Sequence, residues 1–293
     1  FLLGSATSFS LPPYNYFVIN FICYTFLFLF LVEAKNLNKS KLIFFLYGWV
    51  FGLGFFICSL YWISISLTFD NNFKFLIPIS IFIIPAFISI FYGALTFTSK
   101  FFLRPKKLIA SILIFSLSFS VIEYVRGFVL TGFPWNLVAY SFSNQIEFIQ
   151  INSILGIYGF NLLCITFFIA PASIIIRKSK KNIFFVISLG ILVILNLIYG
   201  YTSQKNDNIK ISEKKLNIVT VSTNISLERF YSSDADEYSI IKNLINLSDP
   251  KKFFGKKTIF VWPEGTLPSS NINNINSYKE IFSKNFDKDH FIL

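Results

Sequence analysis

Chemistry in this sequence gathers in one segment, Val261-Trp262-Pro263-Glu264-Gly265-Thr266-Leu267-Pro268. A carboxylate that directly follows a run of β-formers, in a turn bounded by Pro and Gly, belongs at the C-terminal edge of a sheet. Open α/β sheets build their sites along that edge. Partial burial there would suit Glu264 to general-base work. The plainer reading of the same residue is a solvated turn carboxylate.

A second charged pair, Glu123 and Arg126, stands three residues apart in an otherwise apolar run, hence on one helix face. Ionisable groups at membrane depth are costly, and they either pair or serve function. Two readings stay open: a structural ion pair, or Arg126 holding a lipid head-group phosphate. Phe133, Pro134 and Trp135 follow closely. They read either as an aromatic anchor at the membrane interface or as part of a lipid-entry loop. Cys23, Cys58 and Cys164 all lie in apolar runs, where a thiolate is disfavoured, so inert thiols are expected. His290 is the only His, so neither a Ser-His-Asp arrangement nor a His-based metal site can be assembled. No metal and no cofactor are expected.

What positions these residues follows from composition. Of 293 residues, 54% are hydrophobic and only 14% charged, with 39 Phe and a mean hydropathy of +0.61. A soluble domain runs near 25% charged, so one water-soluble core is excluded and a membrane protein is indicated. A spanning helix needs about 20 mostly apolar residues. Seven spans are predicted, roughly 1–10, 15–32, 42–66, 75–98, 108–130, 150–176 and 183–201. Lys35, Lys39 and Lys41 follow the second span; Lys100, Arg104, Lys106 and Lys107 the fourth; Arg177, Lys178, Lys180 and Lys181 the sixth. Of the 13 Lys and Arg before residue 205, only Lys74 and Arg126 fall on the other side. The positive-inside rule makes the basic loops cytoplasmic. This asymmetry accounts for most of the net charge of +11, and no nucleic-acid partner is expected.

From Lys205 onward the chain is polar, with 13 basic and 11 acidic side chains in residues 205–293. After a linker to Lys215, strands are predicted at Leu216–Val221, Thr258–Trp262 and from Phe291. Helices are predicted at Asp234–Leu247 and Ser277–Asp289. Alternating strands and helices predict an α/β layer domain. The expected architecture is therefore a polytopic α-helical membrane bundle, 1–204, followed by an α/β domain in 205–293. The chain holds no Met, begins at Phe1 within an apolar run and stops in a strand-like run. A piece of a longer protein, with a truncated second domain, is expected.

Trp262-Pro263-Glu264, a small residue and then Leu267-Pro268 resemble the catalytic-glutamate motif of the carbon–nitrogen hydrolase (nitrilase) superfamily. The membrane part is similar to one branch of it, the bacterial apolipoprotein N-acyltransferases. Glu123-Tyr124-Val125-Arg126-Gly127, then Thr131-Gly132-Phe133-Pro134-Trp135 and Tyr140-Ser141, look like that family's signature before its sixth span. Phe51-Gly52-Leu53-Gly54 with Tyr61-Trp62-Ile63 resemble its third span, and Leu155-Gly156-Ile157-Tyr158-Gly159 its sixth. The likeness runs in matching order over nearly the whole chain. It departs at Val221-Ser222-Thr223-Asn224-Ile225, where the family usually has Gln-Gly, and mildly at Gly265-Thr266.

The resemblance implies an α-β-β-α nitrilase-like domain and a ping-pong acyl transfer by a Glu–Lys–Cys triad. Glu264 matches the Glu, as general base for the thiol and then the amine. The Lys and Cys would lie beyond Leu293, so residues 1–293 alone would be inactive. The implied partners are a phospholipid acyl donor, a diacylglyceryl-modified apolipoprotein acceptor and membrane lipids. The implied location is the bacterial inner (cytoplasmic) membrane, with the catalytic domain periplasmic. Two other classes compete: a multi-pass transporter or channel, and a membrane-anchored nitrilase-like protein that binds without catalysis.

Overall fold

In lipid a backbone must satisfy its own polar groups, so apolar runs of membrane length become helices. The computed structural model describes residues 1–129, 132–206, 216–223, 237–266 and 278–293. Six helical stretches in them are long and apolar enough to cross a membrane. Thr131, the linker at 207–215, Asn224 with Ile225, Asp234, Leu267 with Pro268, and Ser277 lie outside the described residues. The chain divides into two units, Phe1–Asn208 and Ile209–Leu293.

The first unit is helical. Residues 1–10 hold a short helix, α1 (Leu2–Thr7), and one 3₁₀ turn. Helices α2 (Ile19–Asn36), α3 (Lys41–Leu60), α4 (Ile77–Phe102) and α5 (Leu108–Phe128) follow. After them come α6 (Ile146–Ile149), α7 (Asn152–Ile169), α8 (Pro171–Ile176) and α9 (Lys180–Asn206). Pro78 and Pro171 sit in the first turns of α4 and α8, where a missing N–H is harmless. Among the described residues, Pro85 alone lies in a helix interior.

Two predicted spans are less regular than expected. Beyond Leu60 the third tightens into a 3₁₀ helix, Tyr61–Thr68. There the hydroxyls of Ser64, Ser66 and Thr68 each donate to the carbonyl three residues back, at 2.6–2.7 Å. Such local bonds compete with α-helical ones. The sixth is kinked at Gly156, whose φ of 66° is left-handed, and broken again at Pro171.

Small residues let α3 and α4 approach closely. A Cβ on Gly48 would land on the Tyr92 carbonyl, and one on Gly52 would meet Ser89 at 3.1 Å. This is the small-xxx-small spacing that lets membrane helices approach. Trp49 Nε1 adds a bond to the Ala86 carbonyl at 2.9 Å.

The second unit contains a three-stranded parallel sheet in the order β1 (Asn217–Thr220), β2 (Thr258–Val261), β3 (His290–Ile292). Parallel neighbours need crossovers, and α10 (Glu237–Ser248) and a helix at Lys279–Asn285 lie between the strands in sequence. The latter ends earlier than predicted because Asp287 begins a turn. Its carboxylate accepts from Gly255 N at 2.8 Å and Asp289 N at 2.9 Å. The Gly255 N–H above all holds the Asp287 carboxyl below its ordinary range. His290 Nε2 lies 3.0 Å from the Phe253 carbonyl, and the ring packs edge-on to buried Phe260.

Candidate active site and a buried charge cluster

Glu264 follows β2 at the C-terminal edge of the parallel sheet. Val221 N donates to the Val261 carbonyl at 3.0 Å, and Trp262 N to the Leu293 carbonyl at 2.8 Å. The strand exit is therefore clamped on both sides. Trp262 pins it further, donating Nε1 to Ser248 Oγ at 2.9 Å and packing on the Val221–Ile240–Leu244 core. Pro263 has no N–H for the ladder, so the chain leaves the sheet there. Gly265 takes a φ of 73°, and Thr266 Oγ1 donates back to the Pro263 carbonyl at 3.1 Å. The expected partial burial is corrected: Glu264 is exposed. It sits at the tip of a turn beyond the sheet, where no described side chain covers it. A carboxylate held on a rigid stem at a sheet edge can accept protons from a group brought to it.

Glu123 and Arg126 are the opposite case, at 0% and 1% exposure. Glu123 Oε1 accepts from Tyr92 OH of α4 at 3.0 Å. Its Oε2 accepts from Asn161 Nδ2 of α7. Arg126 Nη2 lies 3.7 Å from Glu123 Oε1. Arg126 Nη1 donates to the carbonyls of Phe133 and Trp135, both at 2.8 Å, and the guanidinium lies between the rings of Phe56 and Phe133. Asn161 Oδ1 accepts from Ala139 N at 2.9 Å. One cluster thus ties α4, α5 and α7 to the 133–139 segment. Nε and Nη2 of Arg126 have no hydrogen-bond partner among the described residues.

The segment so held carries Phe133, Pro134 and Trp135, with Pro134 and Trp135 exposed. Trp135 faces Trp62 at 5.8 Å, and Asn136 Nδ2 donates to Ser59 Oγ at 2.9 Å. A cavity of about 410 Å³ opens here, lined by Cys58, Tyr61, Trp62, Trp135, Asn136 and Tyr140 among others. Cys23 and Cys164 are buried, and Cys58 is half-buried at this cavity. Sequence reasoning missed Tyr92 and Asn161. The available signal was an amide, Asn161, in the middle of a long apolar run. Among the described residues no group of three His, Cys, Asp or Glu could hold a metal.

Residues 3–170 match the model of the family described as the apolipoprotein N-acyltransferase N-terminal domain. The chain belongs to that family. Its relatives include proteins named apolipoprotein N-acyltransferase, at the following similarities. The one from Rhodopseudomonas palustris is 26% identical over 275 residues, covering 91% of this chain and 51% of the relative. The one from Rhizobium leguminosarum is 28% identical over 278 residues, covering 90% and 51%. That from Rhizobium rhizogenes is 27% identical over 305 residues, covering 100% and 56%. The chain spans about half the length of these curated relatives. In this N-acyltransferase family member the match to the family model covers both the Glu123–Arg126 cluster and the Trp135 loop. Glu264 falls outside it.

Proposed function

We propose that the complete protein is an apolipoprotein N-acyltransferase of the inner membrane. The observation that carries this reading is Glu264 at the C-terminal edge of a parallel sheet that follows a membrane unit of this family. In the proposed reaction Glu264 takes the proton of a cysteine thiol in the segment after Leu293. The thiolate attacks a phospholipid ester carbonyl, and the lysophospholipid leaves with the proton. The α-amino group of a diacylglyceryl-cysteine then attacks the thioester. Glu264 receives the amine proton, which passes to the departing thiolate. Residues 205–293 serve as linker and first part of the nitrilase-like domain. The Glu123–Arg126 cluster holds the loop carrying Phe133, Pro134 and Trp135 where lipid enters.

The test is acylation of a diacylglyceryl peptide by the complete protein in phospholipid micelles. N-acylated peptide should appear together with lysophospholipid in equal amount. Peptide left unmodified by folded protein would overturn the reading.

Orientation has its own check. The basic loops place the Leu60 end of α3, and so Cys58, on the periplasmic side. A membrane-impermeant maleimide added outside spheroplasts should label Cys58, and should spare Cys23 and Cys164 until the protein is unfolded. Labelling of Cys58 only after the membrane is opened would reverse the topology and remove Glu264 from the periplasm.

A further inference from the structure

At the basic end of the bundle the loops before α5 and α9 meet around a common hollow of about 730 Å³. Lys106, Lys107, Arg177, Lys180 and Lys181 line it, and among the described residues no carboxylate does. A neighbouring hollow of about 640 Å³ shares Lys106 and Lys107 and adds Lys35 and Arg104. None of these cations has an ion-pair partner among the described residues. The N-termini of two long helices, α5 and α9, open here, and their dipoles add to the positive field.

The turns that carry the cations are fixed. Buried Asn182 donates to the carbonyls of Ser173 at 2.8 Å and Arg177 at 2.7 Å. Ser111 Oγ accepts from Arg104 N at 2.9 Å and donates to the Arg104 carbonyl at 3.1 Å. Orientation in the membrane requires cations in these loops, but does not require them around one hollow. Lys39 and Lys178 belong to the same set of loops and line neither hollow.

The wall below the cations is apolar, formed by Leu108, Ile109, Ala110 and exposed Leu113 on the first turns of α5. Phosphate at the rim and hydrocarbon beneath is the chemistry of a phospholipid. We propose that this end of the bundle binds an anionic phospholipid, its head group in the basic hollows and its chains along α5. Two hollows flanking Lys106 and Lys107 suit a lipid with two linked phosphates, a diphosphatidylglycerol. Basic pockets between membrane helices on the cytoplasmic side bind such head groups. Leu108 and Arg126 are about 27 Å apart along α5, so this site is separate from the Trp135 loop and does not depend on the proposed reaction.

The test uses the chain purified in detergent and titrated with diphosphatidylglycerol, phosphatidylglycerol or phosphatidylcholine. Bound lipid is counted by native mass spectrometry. Affinity should fall in that order. Lys107→Gln with Lys181→Gln should weaken diphosphatidylglycerol about thirtyfold, at about 1 kcal/mol per cation and about 1.4 kcal/mol per tenfold. Lys39→Gln with Lys178→Gln removes the same charge outside the hollows and should change it by less than about twofold. If the first double variant does not fold, Lys181→Gln alone should give about fivefold. Equal binding of phosphatidylcholine, or equal weakening in both double variants, would overturn the proposal. So would displacement of the lipid by millimolar inorganic phosphate, which would mark a site for free anions.

Discussion

Glu264→Gln in the complete protein is expected to lower acyl transfer to a diacylglyceryl peptide by about 10²–10⁴-fold, the usual contribution of a general base. That is roughly 3–5 kcal/mol at about 1.4 per decade. The amide keeps the size and hydrogen-bonding capacity of the carboxylate but cannot take a proton. Because the same group serves thiol and amine, thioester formation should fall along with transfer. Within residues 1–293 Glu264 is exposed at a turn tip, so in this chain the exchange disturbs no packing, and its stability should stay within about 0.5 kcal/mol. A solvated turn carboxylate with no role would change turnover by less than about twofold. Near-wild-type turnover of folded Gln variant would refute the catalytic assignment.

Glu123→Leu is expected to destabilise the membrane unit by about 3–5 kcal/mol, the usual cost of removing one member of a buried ion pair. The substitution leaves the Arg126 guanidinium without its countercharge and the Tyr92 hydroxyl and Asn161 amide without their acceptor. Adding Arg126→Leu should recover part of the loss, since the two are coupled. Recovery should be incomplete, because the carbonyls of Phe133 and Trp135 then lose their donor. Unfolding in mixed micelles with increasing dodecyl sulfate, followed by tryptophan fluorescence, gives the ranking. If Glu123→Leu unfolded like the wild type while the complete protein lost activity, the pair would belong to lipid binding and not to the fold.

Much of this was legible in the sequence where a local rule governs. The β-run ended by Pro263 announced a strand exit, and the strand does end at Val261, at the C-terminal edge of the parallel sheet. The three-residue spacing of Glu123 and Arg126 put them on one face of α5. What the two residues touch was not legible. Tyr92 and Asn161 are 31 and 38 residues away from Glu123, and which turns of α4 and α7 lie beside it depends on helix packing. The 3₁₀ stretch after Leu60 escaped because the hydrophobic pattern does not distinguish 3₁₀ turns from α-helical ones. Glu264's exposure escaped for a related reason: strand pattern places a turn but does not say what covers it.

The close contact of α3 with α4 has a consequence for the charge carried by α5. The two helices are consecutive and precede α5 in the chain, and Gly48 and Gly52 let them approach closely. Tyr92, whose hydroxyl donates to Glu123, lies on that earlier pair. An ionisable group within a spanning helix is costly unless it is paired. Glu123 has this donor on α4 and Arg126 one turn further along its own helix. Asn161 of α7 completes the carboxylate's partners. Neutralisation of Glu123 is thus shared among three helices, with Tyr92 before it in the chain, Arg126 beside it and Asn161 after it.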